Sequence, residues 1–285
     1  MHLPDAERVR SLIERVAAEE MLPRFRRLGT SDVRTKTGPG DLVTIVDEIC
    51  EARLSEGLRD LLPGSVVVGE EAAESSDAGW VDRLSSDDPV WIIDPLDGTY
   101  NYATGVDRFS SIVALSYRGE TVAGWIHDPV REETGMAMAG EGAWIGSTRL
   151  AVAEPGDLPS ISGAFSLPPK RAPLRAFAED LRAHLACHHW LGSAGLDYLW
   201  LASGRAHVGV GGTYGRLKPW DHAAGVLMHR EAGGFSALST GEAYAPRHLS
   251  GLLIVAPDQR VWADVRHILA ACMLANEGQG TSATD

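Results

Sequence analysis

Four groups of acidic residues carry spacings that metal or phosphate chemistry could use. The most specific is Asp94-Pro95-Leu96-Asp97-Gly98-Thr99, directly after Trp91-Ile92-Ile93. Asp-Pro and Asp-Gly form turns readily, so a plain turn is the simplest account. Two aspartates three apart across a proline-stiffened turn can also face one point, where one of them bridges two cations. The Leu96 carbonyl lies between them, and Gly98 and Thr99 offer backbone N–H groups to an anion if a helix begins there. Metal ligands beside a phosphate cradle are what phosphoryl transfer requires, because its catalysis is mostly positioning and charge neutralisation. The second group, Glu70-Glu71, follows Val68-Gly69. It reads as a solvated acidic loop or as hard-cation ligands held rigidly at a strand end. The third is Asp221 in Pro219-Trp220-Asp221-His222-Ala223-Ala224-Gly225, where capping the following helix would suffice as a role. The fourth is Asp41 to Asp47, with Asp47 in a first helical turn, complementing the helix dipole.

The elements that must position these residues follow from periodicity. Val9, Leu12, Ile13 and Val16 line one face of an amphipathic helix that Pro23 kinks or ends. Residues 35–41 read as a loop. A second helix is predicted from about Thr44 to Leu62, with Val46, Ile49, Cys50 and Leu61 inward, stopped by Pro63-Gly64. Val66–Val68 and Val90–Ile93 read as buried strands. Ile112–Tyr117, Thr121–Ile126, Thr134–Ala139 and Ala143–Ile145 suggest an antiparallel meander, with Arg118-Gly119-Glu120 as one turn. Pro155–Pro173 is the candidate boundary between an N-terminal half (1–154) and a C-terminal half (155–275). The second half is predicted to hold helices over Ala172–His188, Leu196–Ala202, Asp221–Ala232 and Gln259–Ala275. Its strands are placed at Ala206–Val210 and Leu252–Ala256, and Gly233-Gly234 caps the Asp221 helix. Residues 276–285 are small and polar and read as a disordered tail.

Composition narrows the partners. The chain has 285 residues, 44% hydrophobic and 23% charged, with a formal charge of −13. That balance argues against nucleic-acid polymers and anionic membranes, and an anionic substrate would need cations to neutralise it locally. Three scattered cysteines (Cys50, Cys187, Cys272) without a CxxC pair fit a reducing compartment. The sequence offers neither a signal-peptide core nor a bilayer-length apolar run, so the expectation is a cytoplasmic protein.

Taken together and in order, Gly-Glu-Glu, Asp-Pro-Leu-Asp-Gly-Thr and Trp-Asp-His-Ala-Ala-Gly resemble the inositol monophosphatase family of lithium-sensitive, magnesium-dependent phosphomonoesterases, over roughly Val9 to Leu269. The resemblance implies an α/β layered fold, an α-β-α-β-α sandwich shared with fructose-1,6-bisphosphatase. It implies one magnesium held by Glu70, Asp94 and the Leu96 carbonyl, and a second held by Asp94, Asp97 and Asp221. A third, looser cation would contact Glu70, Mn2+ would substitute for Mg2+, and Li+ would inhibit. Asp47 and Thr99 would orient and help deprotonate the attacking water, with Glu70 assisting. The amides of Gly98 and Thr99 would receive the phosphate. The resemblance further implies a homodimer acting on a small phosphorylated metabolite.

Substrate choice is expected from the second half. Ser193 and Ala194 in Gly192-Ser193-Ala194-Gly195 match the family segment that lines the sugar or inositol ring, beside Asp97 and Asp221. Seven residues before Asp221, where many family members place a glutamate for ring hydroxyls, this chain has Tyr214. Losing that charge-assisted acceptor puts inositol phosphate itself in doubt. Arg216 is either a surface arginine or a contact for a second anionic group, as in a bisphosphate or nucleotide. Cys187, His188 and His189 lack a second pair at zinc-finger spacing. His222 and His229, seven apart on one helix, read as surface residues or neighbours of the site. The rival activities on the same scaffold are fructose-1,6-bisphosphatase, histidinol-phosphatase and 3′-phosphoadenosine nucleotidase. A rival of another class is a catalytically silent metal- or phosphate-binding regulatory protein.

Overall fold

The computed structural model describes residues 3–36, 38, 41–75, 79–167, 174–212 and 214–280, with backbone only over 274–280. Asp5 caps helix α1 (Ala6–Val16), accepting from the Glu7 and Arg8 amides, and Val9, Leu12, Ile13 and Val16 are its buried stripe as expected. The helix widens into a π-turn over Ala17–Met21 before Pro23. Strands β1 (Val33–Thr35) and β2 (Leu42–Thr44) pair antiparallel across the stretch expected as a loop. Helix α2 (Ile45–Leu61) follows at once, started by a capping box in which Thr44 and Asp47 satisfy each other's backbone. Its inward stripe is Val46, Cys50, Leu54 and Leu58; Ile49 and Leu61 are only half-buried.

Strand β3 (Val66–Gly69) leads into helix α3 (Glu70–Ser75), and α4 (Trp80–Arg83) precedes β4 (Val90–Asp97). Helix α5 (Thr99–Ala103) interrupts before the meander: β5 (Ser110–Tyr117), β6 (Glu120–Asp128), β7 (Glu133–Met138), β8 (Gly142–Ile145) and β9 (Thr148–Arg149). These strands form one sheet in the order β3-β4-β5-β6-β7-β8-β9, parallel only between β3 and β4. Arg118 and Gly119 both take positive φ at the β5–β6 hairpin, as a type I′ turn demands. Its central strands are buried on both faces because alternate residues point opposite ways. Trp91, Ile93, Val113, Leu115 and Trp125 meet α1 and α2, while Ile92, Ile112, Ala114 and Ile126 meet the helices behind.

The second half contributes β10 (Ser162–Ala164), α6 (Arg175–His184), β11 (Cys187–His189), α7 (Ala194–Ala202), β12 (Gly209–Gly211), α8 (Pro219–Glu231), β13 (Phe235–Leu238), β14 (Leu253–Ala256) and α9 (Gln259–Gly280). The helix expected to reach His188 stops at His184, and Cys187–His189 instead pairs parallel with β10. Residues 168–173, within the expected boundary, lie outside the described residues. A small sheet ordered β12-β14-β13 has Leu253 and Val255 against α7 and α8, and Ile254 and Ala256 against α6 and α9. The layers therefore run helices, large sheet, helices, small sheet, helices, the α-β-α-β-α sandwich the motifs implied. Helix α9 continues to Gly280, past the expected end at Ala275, and 281–285 lie outside the described residues. Among the described residues, no helix is long and apolar enough to cross a membrane.

Candidate metal and phosphate site

The central sheet ends where the chemistry begins. At the end of β4 the register with β5 slips, Asp94 facing Ile112 but Asp97 facing Ser110. The slip falls at Pro95-Leu96, where proline has no N–H for the ladder, and a bulge there re-aims both aspartates. Asp94 is buried, and its Oδ1 accepts the Leu96 amide at 3.1 Å. Gly98 then turns the chain at φ +88°, with a hypothetical Cβ only 3.0 Å from the Arg108 carbonyl. Only glycine suits that turn. It lets Thr99 open the short α5 directly beneath the aspartates.

Thr99 joins the two halves of the expected water-activating pair. Its Oγ1 lies 3.0 Å from Asp47 Oδ1 and 2.9 Å from the Leu96 carbonyl, so its one proton serves either acceptor. Asp47 Oδ2 accepts the Thr44 amide at 2.8 Å as well as the Thr44 hydroxyl. Burial pushes the Asp47 carboxyl up to about 6, opposed by its bonds to Thr44 and Thr99. Its place in the first turn of α2 thus combines the helix role expected of it with contact to Thr99.

Asp97 is more heavily engaged than the motif indicates. Its Oδ2 accepts Ser110 Oγ at 2.8 Å, the Gly195 amide at 2.8 Å and the Ser193 hydroxyl; its Oδ1 accepts the Ala194 amide at 3.0 Å. The carboxylate therefore closes the N-terminus of α7, where charge and dipole attract. Ser193, expected at the substrate ring, is also the N-cap of α7, accepting the Leu196 amide. Asn101 Nδ2 donates to the Leu191 carbonyl at 2.8 Å and ties α5 to this loop.

Asp221 comes from the other wall. It lies in the first turn of α8, but the cap position belongs to Lys218, because Pro219 at the first helical position starts the helix earlier. Burial raises the Asp221 carboxyl well above its usual range; Lys218 opposes the shift, and Glu70 and Asp97 add to it. The Asp94 carboxyl is raised by burial, then by Glu70, Asp97 and Asp221. Asp94 and Asp221 thus feel the carboxylates around them, from β4, α3 and α8, with Asp94 and Asp97 buried, an environment that a bound cation relieves.

Two lysines that sequence reasoning passed over meet this cluster. Lys218 Nζ lies 2.9 Å from Glu70 Oε1 and 2.7 Å from Glu74 Oε1. Lys36 Nζ lies 2.7 Å from Glu71, 2.9 Å from Glu74 and 3.4 Å from Glu70. Burial opposes both ammonium charges, yet the surrounding carboxylates raise both above the ordinary lysine value. Glu51, also missed, is buried on α2 and accepts the Glu71 and Ala72 amides at 2.8 and 2.9 Å, holding α3 in place. The one available signal was the sheer number of charges on apolar-flanked elements, which names no partner.

A cavity of about 1530 Å³ opens over the cluster. Asp97, Ser193, Ala194, Tyr214, Lys218 and Asp221 all line it. Glu70, Asp94, Asp47 and Thr99 sit behind that lining. Tyr214 is 59% exposed, its hydroxyl 3.3 Å from the Leu167 carbonyl, and Arg216 stands exposed on the same wall. His222 and His229 are not on a surface: both are buried, with His222 bonded to Tyr198 and His229 to Ser236. Burial lowers them to about 4 and about 3.

The donor set fits a hard cation, being oxygen-only and anionic, with Asp94 and Asp97 buried and the Lys218 ammonium standing where positive charge is wanted. Among the described residues, no three His, Cys, Asp or Glu side chains already converge in a geometry able to hold a metal ion.

Fold and site define a layered α/β protein with a buried carboxylate cluster under a large cleft. The model of the inositol monophosphatase family matches residues 6–273, and the chain belongs to that family. A Haemophilus influenzae protein named Nus factor SuhB is 35% identical over 248 residues, 84% of this chain and 86% of that one. The solved IMPase of Thermotoga maritima has a TM-score of 0.79 at 26% identity, covering 93% of this chain and 96% of its own. An IMPase/NADP phosphatase solved with Mg2+ and phosphate shares the fold at 21% identity, TM-score 0.75, over 90% of this chain and 92% of that one.

Proposed function

We propose that the chain hydrolyses a small phosphate monoester with magnesium, releasing inorganic phosphate. The observation that carries this reading is the cluster of Asp94 and Asp97, both buried, with Asp221 and Glu70, around a lysine counter-charge beneath a cavity, in which the neighbouring carboxylates push the Asp94 and Asp221 carboxyls up. Glu70, Asp94 and the Leu96 carbonyl would hold one ion, and Asp94, Asp97 and Asp221 another. When bound, magnesium supplies charge neutralisation for the phosphoryl oxygens and acidifies a coordinated water. The chain's own groups do the rest. Asp47 takes the proton that Thr99 relays, a role suited by a carboxyl near 6. The Gly98 and Thr99 amides face the transferred group, and the α7 loop from Ser193 to Gly195 fixes Asp97 against it. Tyr214 and Arg216 line the side of the cavity left for the alcohol. The proposed partner remains a small phosphorylated metabolite, inositol-1-phosphate-like or a sugar phosphate.

The deciding experiment measures phosphate release from inositol-1-phosphate, fructose-1,6-bisphosphate, histidinol phosphate and 3′-phosphoadenosine 5′-phosphate, with Mg2+, with Mg2+ plus Li+, and with chelator. Chelator-sensitive release from one of them supports the reading. The Nus-factor name of the Haemophilus relative favours a second reading, in which the scaffold serves an assembly and turns over nothing. Absence of release from the entire panel, despite Mg2+ binding, would favour that one.

A further inference from the structure

Lys218 is placed unlike an ordinary surface lysine. It precedes Pro219 at the cap of α8, three residues from Asp221, and its side chain is 31% exposed on the cavity wall. Its ammonium touches two carboxylates at once, Glu70 and Glu74, at 2.9 and 2.7 Å. Lys36 shares Glu74 and Glu70 but takes its shortest contact from Glu71, and is more enclosed at 12% exposure. Both ammoniums line the cavity, but Lys218 is the more exposed and makes the shorter contact to Glu70, 2.9 against 3.4 Å. Glu70 is a carboxylate that a divalent ion would want, and an oxygen already accepting an ammonium proton is a poorer ligand for a second cation. Glu74, one turn further along α3, already holds Lys218 at 2.7 Å and would keep it if the contact to Glu70 were given up.

We infer that Lys218 is a tethered placeholder cation, bridging Glu70 and Glu74 in the metal-free chain and giving up Glu70 while keeping Glu74 when a divalent ion arrives. The inference rests on the metal reading above and adds a positioning residue to it. Lys218 keeps the carboxylate cluster from flying apart by like-charge repulsion before metal binds. Metal binding then exchanges one counter-charge for another instead of filling a bare anionic hole. The immediate consequence is that removing the lysine makes Mg2+ bind tighter, although it makes the metal-free protein weaker. Removing the Glu74 contact does the reverse: with Glu74 neutralised, Lys218 stays on Glu70 and Mg2+ binds more weakly.

The test is calorimetric titration of chelator-treated full chain with MgCl2, with thermal melts in chelator and at saturating Mg2+. Lys218→Met is expected to lower the Mg2+ Kd roughly tenfold, the size of one charge-assisted hydrogen bond given up. It is also expected to lower the metal-free Tm and widen the gap between the two melts. Glu74→Gln is expected to raise the Kd by a similar factor, and Lys218→Gln serves if the Met variant does not fold. Unchanged or weakened Mg2+ binding in the Lys218 variants, with normal binding by the parent chain, overturns the placeholder and leaves the metal site standing. Absence of Mg2+ binding by the parent chain overturns the metal reading and the placeholder with it.

Discussion

Gly225 in α8 offers a sharp test of how the two walls of the site are held together. A Cβ at this position would lie 2.1 Å from Cγ and Cδ2 of the Tyr198 ring on α7. That is more than an ångström short of ordinary contact, and the ring cannot swing aside. Tyr198 is 4% exposed, donates or accepts at His222 Nδ1 at 3.1 Å, and packs edge-on against the His222 ring. In an open helix Gly→Ala gains about 1 kcal/mol from propensity. Overpacking of a filled core costs ~1–3 kcal/mol, and here it must also push α7 away from α8. The overlap wins, and Gly225→Ala should lose roughly 1–2 kcal/mol net, a Tm drop of about 2–3 °C for a chain of this size. Function should suffer more than stability. Helix α7 delivers the amides that hold Asp97, and α8 carries Asp221, so separating them by ~1 Å misplaces the pair and costs on the order of 10²-fold in rate. Gly57→Ala is the control, since the atoms nearest its Cβ are the methyl ends of one flexible side chain, Leu12, at 2.7 and 2.8 Å, with its Cγ at 3.4 Å. Circular-dichroism melts and phosphate release on both variants decide the matter. A Gly225→Ala chain as stable and active as the parent, or a Gly57→Ala chain equally damaged, refutes the reasoning.

Three further outcomes follow from the same contacts. Ser193→Ala removes both the cap of α7 and a donor to Asp97, and should lose about 1 kcal/mol in a melt, with Ser193→Thr recovering most of it. Asp47→Asn keeps the shape but cannot take up the proton from Thr99; phosphate release should fall ~10²- to 10⁴-fold while calorimetric Mg2+ binding stays unchanged. His229 is held neutral by burial, its value lowered to about 3. The unfolded chain takes up that proton below ~6.5 and the folded chain does not until far lower, so the stability is full above ~6.5 and falls toward acid. The slope approaches ~1.4 kcal/mol per pH unit, and urea melts of His229→Asn between pH 7.5 and 4.5 should show a shallower slope than the parent.

Much of the frame was legible because it is written in local pattern. The α1 stripe, the Val66 and Val90 strands and the meander each repeat with a period that a core enforces, and the aspartates sit where strands end. What escaped detection is long-range. Lys36, Glu51 and Lys218 are single charges whose partners lie on other elements, 35, 20 and 148 residues away in the contacts to Glu71, the Glu71 amide and Glu70. No spacing encodes those meetings. His222 and His229 have helical surface spacing, yet α8 is buried nearly all round, so periodicity gave no contrast to read. Strands of three or four residues such as β1, β10, β11 and β13 are too short to display alternation. Ser193 is a different case: its neighbourhood was right, but its contact to Asp97 depends on how α7 meets β4 and not on its own segment.

The central claim is that Asp94 anchors the metal chemistry from the bulged end of β4. Its most direct test is one comparison, Asp94→Asn against the parent chain, scored for Mg2+-dependent phosphate release at equal folded fraction. The account predicts that release falls to the level seen with chelator while the melt in chelator is retained or improved, because a buried repulsive charge has been removed. Full Mg2+-dependent turnover by Asp94→Asn would contradict it.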